Sequence, residues 1–289
     1  PTLGETGPTM PEAALLEDVV KRVTLWNEVD PYYPDQIHGL PKSSESRGVE
    51  AILNALILSS RDARDGHLTA ETRRAFENLW KLQFTRGDAT GAWAWLYFNL
   101  APWESEDAAY FGAALAAVAV GIAPDQYASS AAIEDQVASL REYLLQDYED
   151  RSPFDRVMLL WASAELSGLL TENQRQSIVD GIARLQNDDG GWSLTSLGSW
   201  KREDGYQPDP GSDGYATGLI AFALQKAGVS PTQQSLGRAL TWLVKNQNPT
   251  GGHWPASSLN RERDPTSDRG LLMADAATAF AVLALMQAD

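Results

Sequence analysis

The sequence predicts an all-α chain, a single α/α toroid of about five helical hairpins spanning residues 14–289. Three observations predict it. First, Gln186-Asn187-Asp188-Asp189-Gly190-Gly191-Trp192 closes a helix, with looser copies at Gln247 to Gly251-Gly252-His253-Trp254 and at Gln83 to Gly91-Ala92-Trp93. A motif that recurs in this way marks a repeat architecture. Second, helical periodicity runs through most of the chain and no strand pattern competes with it. Third, amphipathic helices alternate with helices that are apolar nearly all round, and the latter need cover on most sides.

Residues 1–13, with Pro1, Gly4, Gly7, Pro8 and Pro11, predict a flexible entry segment. Five pairs of helices follow: 14–28 with 47–61, 70–83 with 106–122, 131–148 with 154–166, 172–186 with 214–227, and 232–247 with 274–286. First members such as 172–186 place Ile178, Ile182 and Leu185 on one face and Arg, Asp and Gln on the other, so they belong outside. Second members are rich in Ala and Gly. The runs Phe111 to Val118, Gly218 to Leu224 and Ala276 to Leu283 predict an inner ring of closely approaching backbones. Long loops rich in Trp, Gly, Pro and Asp (93–105, 192–212 and 254–271) lead into the inner helices, and ordered loops of that length commonly carry function.

In each repeat copy, Gly permits the positive φ of a helix C-terminus. The Gln side chain can bond orphan backbone groups there, and the Trp buries a large ring over them.

Composition excludes several function classes. A net charge of −16 disfavours nucleic acid and anionic membrane surfaces as partners. The longest apolar run, Phe111 to Val120, falls short of a membrane span, so no transmembrane segment is expected. The chain has 0 Cys, which removes disulfides, thiolate metal sites and cysteine nucleophiles. His38, His67 and His253 lack metal-ligand spacing, and no phosphate loop, dinucleotide fingerprint or nucleophile elbow occurs, so no metal and no cofactor is expected. The start at Pro1 reads as a processed end. With the acidic surface and missing cysteines, it favours an exported bacterial protein slightly over a cytoplasmic one.

The 186–192 segment resembles the Gln-Asp-Gly-Gly-Trp repeat of the squalene–hopene cyclase and protein prenyltransferase superfamily of α/α toroids. Gln247 to Trp254 is similar to a degraded second copy. The resemblance covers residues 14–289, most strongly from 170 onward. It implies a terpenoid-cyclase-like activity, the proton-initiated cyclisation of a hydrophobic isoprenoid, and an isoprenoid ligand as partner. The chain departs from the family's catalytic motifs. It has no Asp-x-Asp-Asp, and Asp209-Pro210-Gly211-Ser212-Asp213 has the wrong spacing. Asp188-Asp189 lacks the third Asp of a magnesium motif, the absent Cys rules out the prenyltransferase zinc site, and only one α-domain fits where cyclases generally use two.

Several inner helices begin near an acid: Glu45, Asp107, Asp155, Asp213 and Asp275. In an apolar cavity an acid has a raised pKa and can donate a proton, yet Asp at a helix start is also what capping and the helix dipole select. Asp213 is the first candidate acid and Asp107 the second. Trp95, Trp103, Tyr110, Trp200 and Tyr215 are the candidate substrate-binding aromatics, since aromatic faces stabilise carbocations and also stack on sugars. Trp93, Trp192 and Trp254 are read as structural. Arg47 and Arg156, in first turns where a cation opposes the dipole, predict anionic partners. Two other functions compete: a carbohydrate-active toroid using two of Asp107, Asp155, Asp213 and Asp275 as acid and base, and a non-catalytic binding module of a larger exported protein.

Overall fold

A computed structural model describes residues 9–29, 43–105 and 107–288, apart from the side chain of Ser43. Residues 1–8, His38 and Glu106 lie outside this set. Among the described residues there are ten α-helices and no strand, so the chain is all-α as the periodicity predicts. It divides into two compact units. Unit 1 holds residues 1–99, 103–146 and 165–169, and unit 2 holds 100–102, 147–164 and 170–289.

In unit 1, α1 (Met10–Thr24), α2 (Ser43–Asp65), α3 (Ala70–Leu82), α4 (Ala109–Ile122) and α5 (Glu134–Leu145) pack as α1 on α2 and α3, α2 on α3 and α4, and α4 on α5. α1 starts earlier than predicted because Thr9 caps it, accepting from the Glu12 amide at 3.3 Å, and Pro11 fits the first turn, where no donor is needed. Met10 to Ala13 therefore belong to a helix and not to an entry segment. α2 starts at Ser43, which moves Arg47 out of the first turn. There it meets Glu50 at 3.6 Å and lies 4.5 Å over the Trp26 ring. α4 is buried from Gly112 to Val120, as an apolar helix must be.

Unit 2 contains α6 (Pro153–Glu165, through Ala164), α7 (Glu172–Ala183), α8 (Gly214–Lys226), α9 (Gln234–Lys245) and α10 (Asp268–Met286). α7 begins with a full capping box between Thr171 and Gln174 and buries Ile178, Val179 and Ile182. α8 is buried from Gly214 to Leu224 and packs along α10 and α9. A Cβ on Gly218 would stand 2.6 Å from the Ala281 amide nitrogen of α10, so the two backbones approach as closely as they do only because that side chain is missing. Gly218→Val is expected to force α8 and α10 apart and cost roughly 1–3 kcal/mol or more. Thermal unfolding checks this, and an unchanged midpoint would contradict the packing.

α10 departs from expectation in two ways. It starts at Asp268 instead of 274, because Ser267 caps it and accepts from the Gly270 amide at 3.2 Å. It is also not covered all round, since Leu271, Leu272 and Leu283 are exposed. Among the described residues it is the one helix long and apolar enough to cross a membrane, longer than the Phe111–Val120 run singled out in the sequence. Asp268, Arg269 and Asp275 stand within it.

Candidate functional site

The three repeat copies are built alike, and their construction decides which aromatics are free for function. Each Trp donates its indole N–H to the carbonyl four residues before the repeat Gln: Trp93 to Leu79 at 2.8 Å, Trp192 to Ile182 at 2.9 Å and Trp254 to Leu243 at 2.8 Å. Each Gln donates to a glycine carbonyl of its own turn: Gln83 to Gly91 at 3.0 Å, Gln186 to Gly190 at 2.8 Å and Gln247 to Gly252 at 2.7 Å. Gln83 and Gln186 also donate to α5 and α9, at the Gln136 and Ser235 carbonyls. Gly91 and Gly190 have φ of +93° and +98°, and a Cβ there would meet the Ser139 and Arg238 carbonyl oxygens at 2.1 and 3.0 Å. Both the turn and the close approach therefore require glycine. The Trp192 and Trp254 amides donate to Thr217 of α8 and Thr278 of α10 at 2.9 and 3.1 Å. α4 contains no Thr to do the same for the first copy. These three Trp are at most 2% exposed and serve as structural clamps.

Asp213 caps α8. One carboxylate oxygen accepts from the Ala216 amide at 2.9 Å and the other from the Leu194 amide at 2.7 Å. Burial pushes the carboxyl up to about 6, against backbone hydrogen bonds that pull it down. The 3% exposed group is thus sealed and fully engaged as an acceptor. Because its folded value lies above the usual 3.8, its stabilising contribution is complete below that pH and is lost as the pH rises through about 6. Urea midpoints between about pH 4 and about pH 7 are expected to fall for the wild type relative to Asp213→Asn. Parallel curves would contradict this.

The other predicted residues fall into two groups. In unit 2, Trp200 donates to the Leu194 carbonyl at 3.2 Å, which ties it to the residue whose amide holds Asp213. Tyr215 stands edge-on to Phe280 at 5.5 Å. That contact continues to Trp161 (6.1 Å from Phe280) and Phe222 (5.3 Å from Trp161), so α6, α8 and α10 carry four rings in mutual contact. In unit 1, Tyr110 is fully buried with its hydroxyl donating to the Leu144 carbonyl at 2.6 Å, so it is a core residue and not a binding aromatic. Asp107 is exposed and precedes α4, so it does not sit in an apolar environment. Asp155 accepts from Ser152 at 2.9 Å in the first turn of α6. Asp275 lies two turns inside α10, well past its start. Arg156 carries a buried Nε with no hydrogen-bond partner among the described residues.

The loop 93–105 brings together what the remaining candidates offer. Trp95 donates to the Trp103 carbonyl at 2.7 Å, meets Phe111 edge-on at 5.8 Å, and rests on Gly112, where a Cβ would lie 2.3 Å from the ring. Trp95, Trp103 and Phe111 are all half-buried. Glu104 follows Trp103 directly. Its main chain is pinned, with the Phe98 amide donating to its carbonyl at 2.9 Å. Its half-buried carboxyl makes no hydrogen bond or ion pair among the described residues, and desolvation raises its pKa. Sequence reasoning passed over Glu104. The available signal was a carboxylate set directly after Trp103 in an aromatic-rich loop.

Chemically, a half-buried, unpaired carboxyl keeps its proton to higher pH than an exposed one and can deliver it to a group held against adjacent rings. Among the described residues no cluster of His, Asp and Glu could hold a metal ion. Compared with protein-family models and with curated proteins, the chain gives no match to either.

Proposed function

We propose that the helical pairs form an α/α toroid of the terpenoid-cyclase-like kind and that the protein protonates a hydrophobic isoprenoid and cyclises it. Glu104 is the acid in this reading, in place of Asp213. The rings of Trp95, Trp103 and Phe111 stabilise the developing cation. One observation carries the assignment: Glu104 has a raised pKa and no internal partner, whereas both oxygens of Asp213 are held by main-chain amides. The repeat clamps support the toroid, because they reproduce at three places the motif that resembles that superfamily.

The test is product analysis by gas chromatography and mass spectrometry after incubation with squalene, farnesyl diphosphate and geranylgeranyl diphosphate. A cyclised product from the wild type that disappears in Glu104→Gln supports the reading. A product that persists undiminished in that variant removes Glu104 from the acid's role. Absence of product from all three substrates overturns the cyclase reading.

The binding module without catalysis has one observation in its favour. Asp213 and the three repeat Trp, the most motif-like residues of the chain, are all spent on structure. The carbohydrate reading lacks such support, because its four acids are variously a cap, a first-turn acceptor and two exposed side chains.

A further inference from the structure

Unit 2 encloses a cavity of about 620 Å³ between the segment after α9, the segment 263–266 and the first two turns of α10. That volume falls within the roughly 300–1,000 Å³ of small-molecule sites. Its walls are largely apolar, with Pro255, Leu271 and Met273 among them, and His253 and Arg263 supply nitrogen donors.

Arg263 is the unusual member. It is half-buried, and among the described residues it makes no hydrogen bond and no ion pair. Its guanidinium is held below its ordinary value first by desolvation, then by the neighbouring charges of Arg261 and Arg269, with Glu203 opposing the shift. Arg261 is already paired with Glu203. Arg269 lies in the first turn of α10, where the helix dipole disfavours a cation. Three arginines gathered within nine positions run against a chain whose net charge is −16.

The acids nearby do not relieve Arg263. Asp264 accepts from the Thr266 amide and hydroxyl at 2.8 and 2.7 Å, both on Oδ1, and makes no ion pair with Arg263. Glu262 receives no hydrogen bond from Arg263. Asp275 lines the same cavity and repels an anion placed beside it, which confines a negative head group to the Arg263 side. A desolvated guanidinium beside apolar walls selects a planar or tetrahedral oxyanion, because its fork of donors matches carboxylate and phosphate oxygens.

We propose that this cavity binds an amphiphilic anion, an apolar chain ending in a phosphate or carboxylate, with the head group on Arg263 and the chain against Leu271, Met273 and Pro255. The site is independent of Glu104, which belongs to unit 1.

Isothermal titration of the full chain with octyl phosphate, octanoate and octanol, each below its aggregation concentration, tests it. Octyl phosphate is expected to bind more tightly than octanol by at least about tenfold, and raising the salt is expected to weaken it. Arg263→Gln should lose about tenfold or more in affinity for the anions and none for octanol, while Arg263→Lys recovers part of the loss. Since Arg263 makes no internal hydrogen bond, the Gln variant should unfold at the wild-type midpoint, so lost binding is not lost folding. Tighter binding of the phosphate identifies phosphate esters as the source of the head group, and tighter binding of octanoate identifies fatty acids. Equal affinity for octanol and the two anions, unchanged affinity in Arg263→Gln, or no heat with either anion would overturn the proposal.

Discussion

Replacing Trp192 by Ala is expected to destabilise the chain by about 3–5 kcal/mol, the cost of emptying a fully buried aromatic site. The ring is 0% exposed, its N–H satisfies the Ile182 carbonyl at 2.9 Å, and its own amide bonds Thr217 of α8. Removing it opens a cavity, whereas the Ile182 carbonyl keeps the Leu185 amide at 3.0 Å, so the emptied volume dominates the cost. Trp200→Ala serves as the control. That ring is half-exposed and holds only the 3.2 Å bond to Leu194, so its loss should cost clearly less. Urea denaturation of both variants reads the difference, and equal losses would refute the clamp.

The second large effect concerns chemistry. Glu104→Gln keeps the shape of the side chain and removes its proton, and general acid catalysis by a positioned group contributes typically about 10²–10⁴-fold. A loss of that size is expected in product formation, without loss of stability, because the carboxyl has no internal partner to forfeit. The sign of the pH dependence follows. The acid works protonated, so the rate should hold at low pH and fall as the pH rises through the raised Glu104 value. Asp213→Asn should change stability and leave this profile in place. A profile that moves with Asp213→Asn and ignores Glu104→Gln would reverse the assignment.

Much of the fold was legible because its signals are local. α3 and α8 begin where their caps Thr69 and Asp213 and their apolar periodicity say they should. The Gln–Gly–Trp clamps could be read because glycine at positive φ and a buried Trp leave marks in the sequence itself. α10 was misplaced at its start because Pro265-Thr266-Ser267 looks like loop, while Ser267 in fact caps a helix that takes in Leu271 and Leu272. Tyr110 and Tyr215 illustrate the limit for site residues. An aromatic at the start of an apolar helix looks the same in sequence whether its hydroxyl finds a carbonyl such as that of Leu144 or its ring meets Phe280. Glu104 and Arg263 were missed for a shared reason, since each is marked by partners it does not have, and that depends on tertiary surroundings. The acidic helix starts showed the opposite error. Asp213 was found, but the cap geometry that occupies it depends on the Leu194 amide, nineteen positions earlier.

The most direct measurement is a carbon-13 NMR titration of the side-chain carboxyls, with the Glu104 resonance assigned by its absence in Glu104→Gln. A Glu104 midpoint above the ordinary 4.5 of a glutamate is expected, beside an Asp213 midpoint near 6. A Glu104 midpoint at or below 4.5 would contradict its role as the acid.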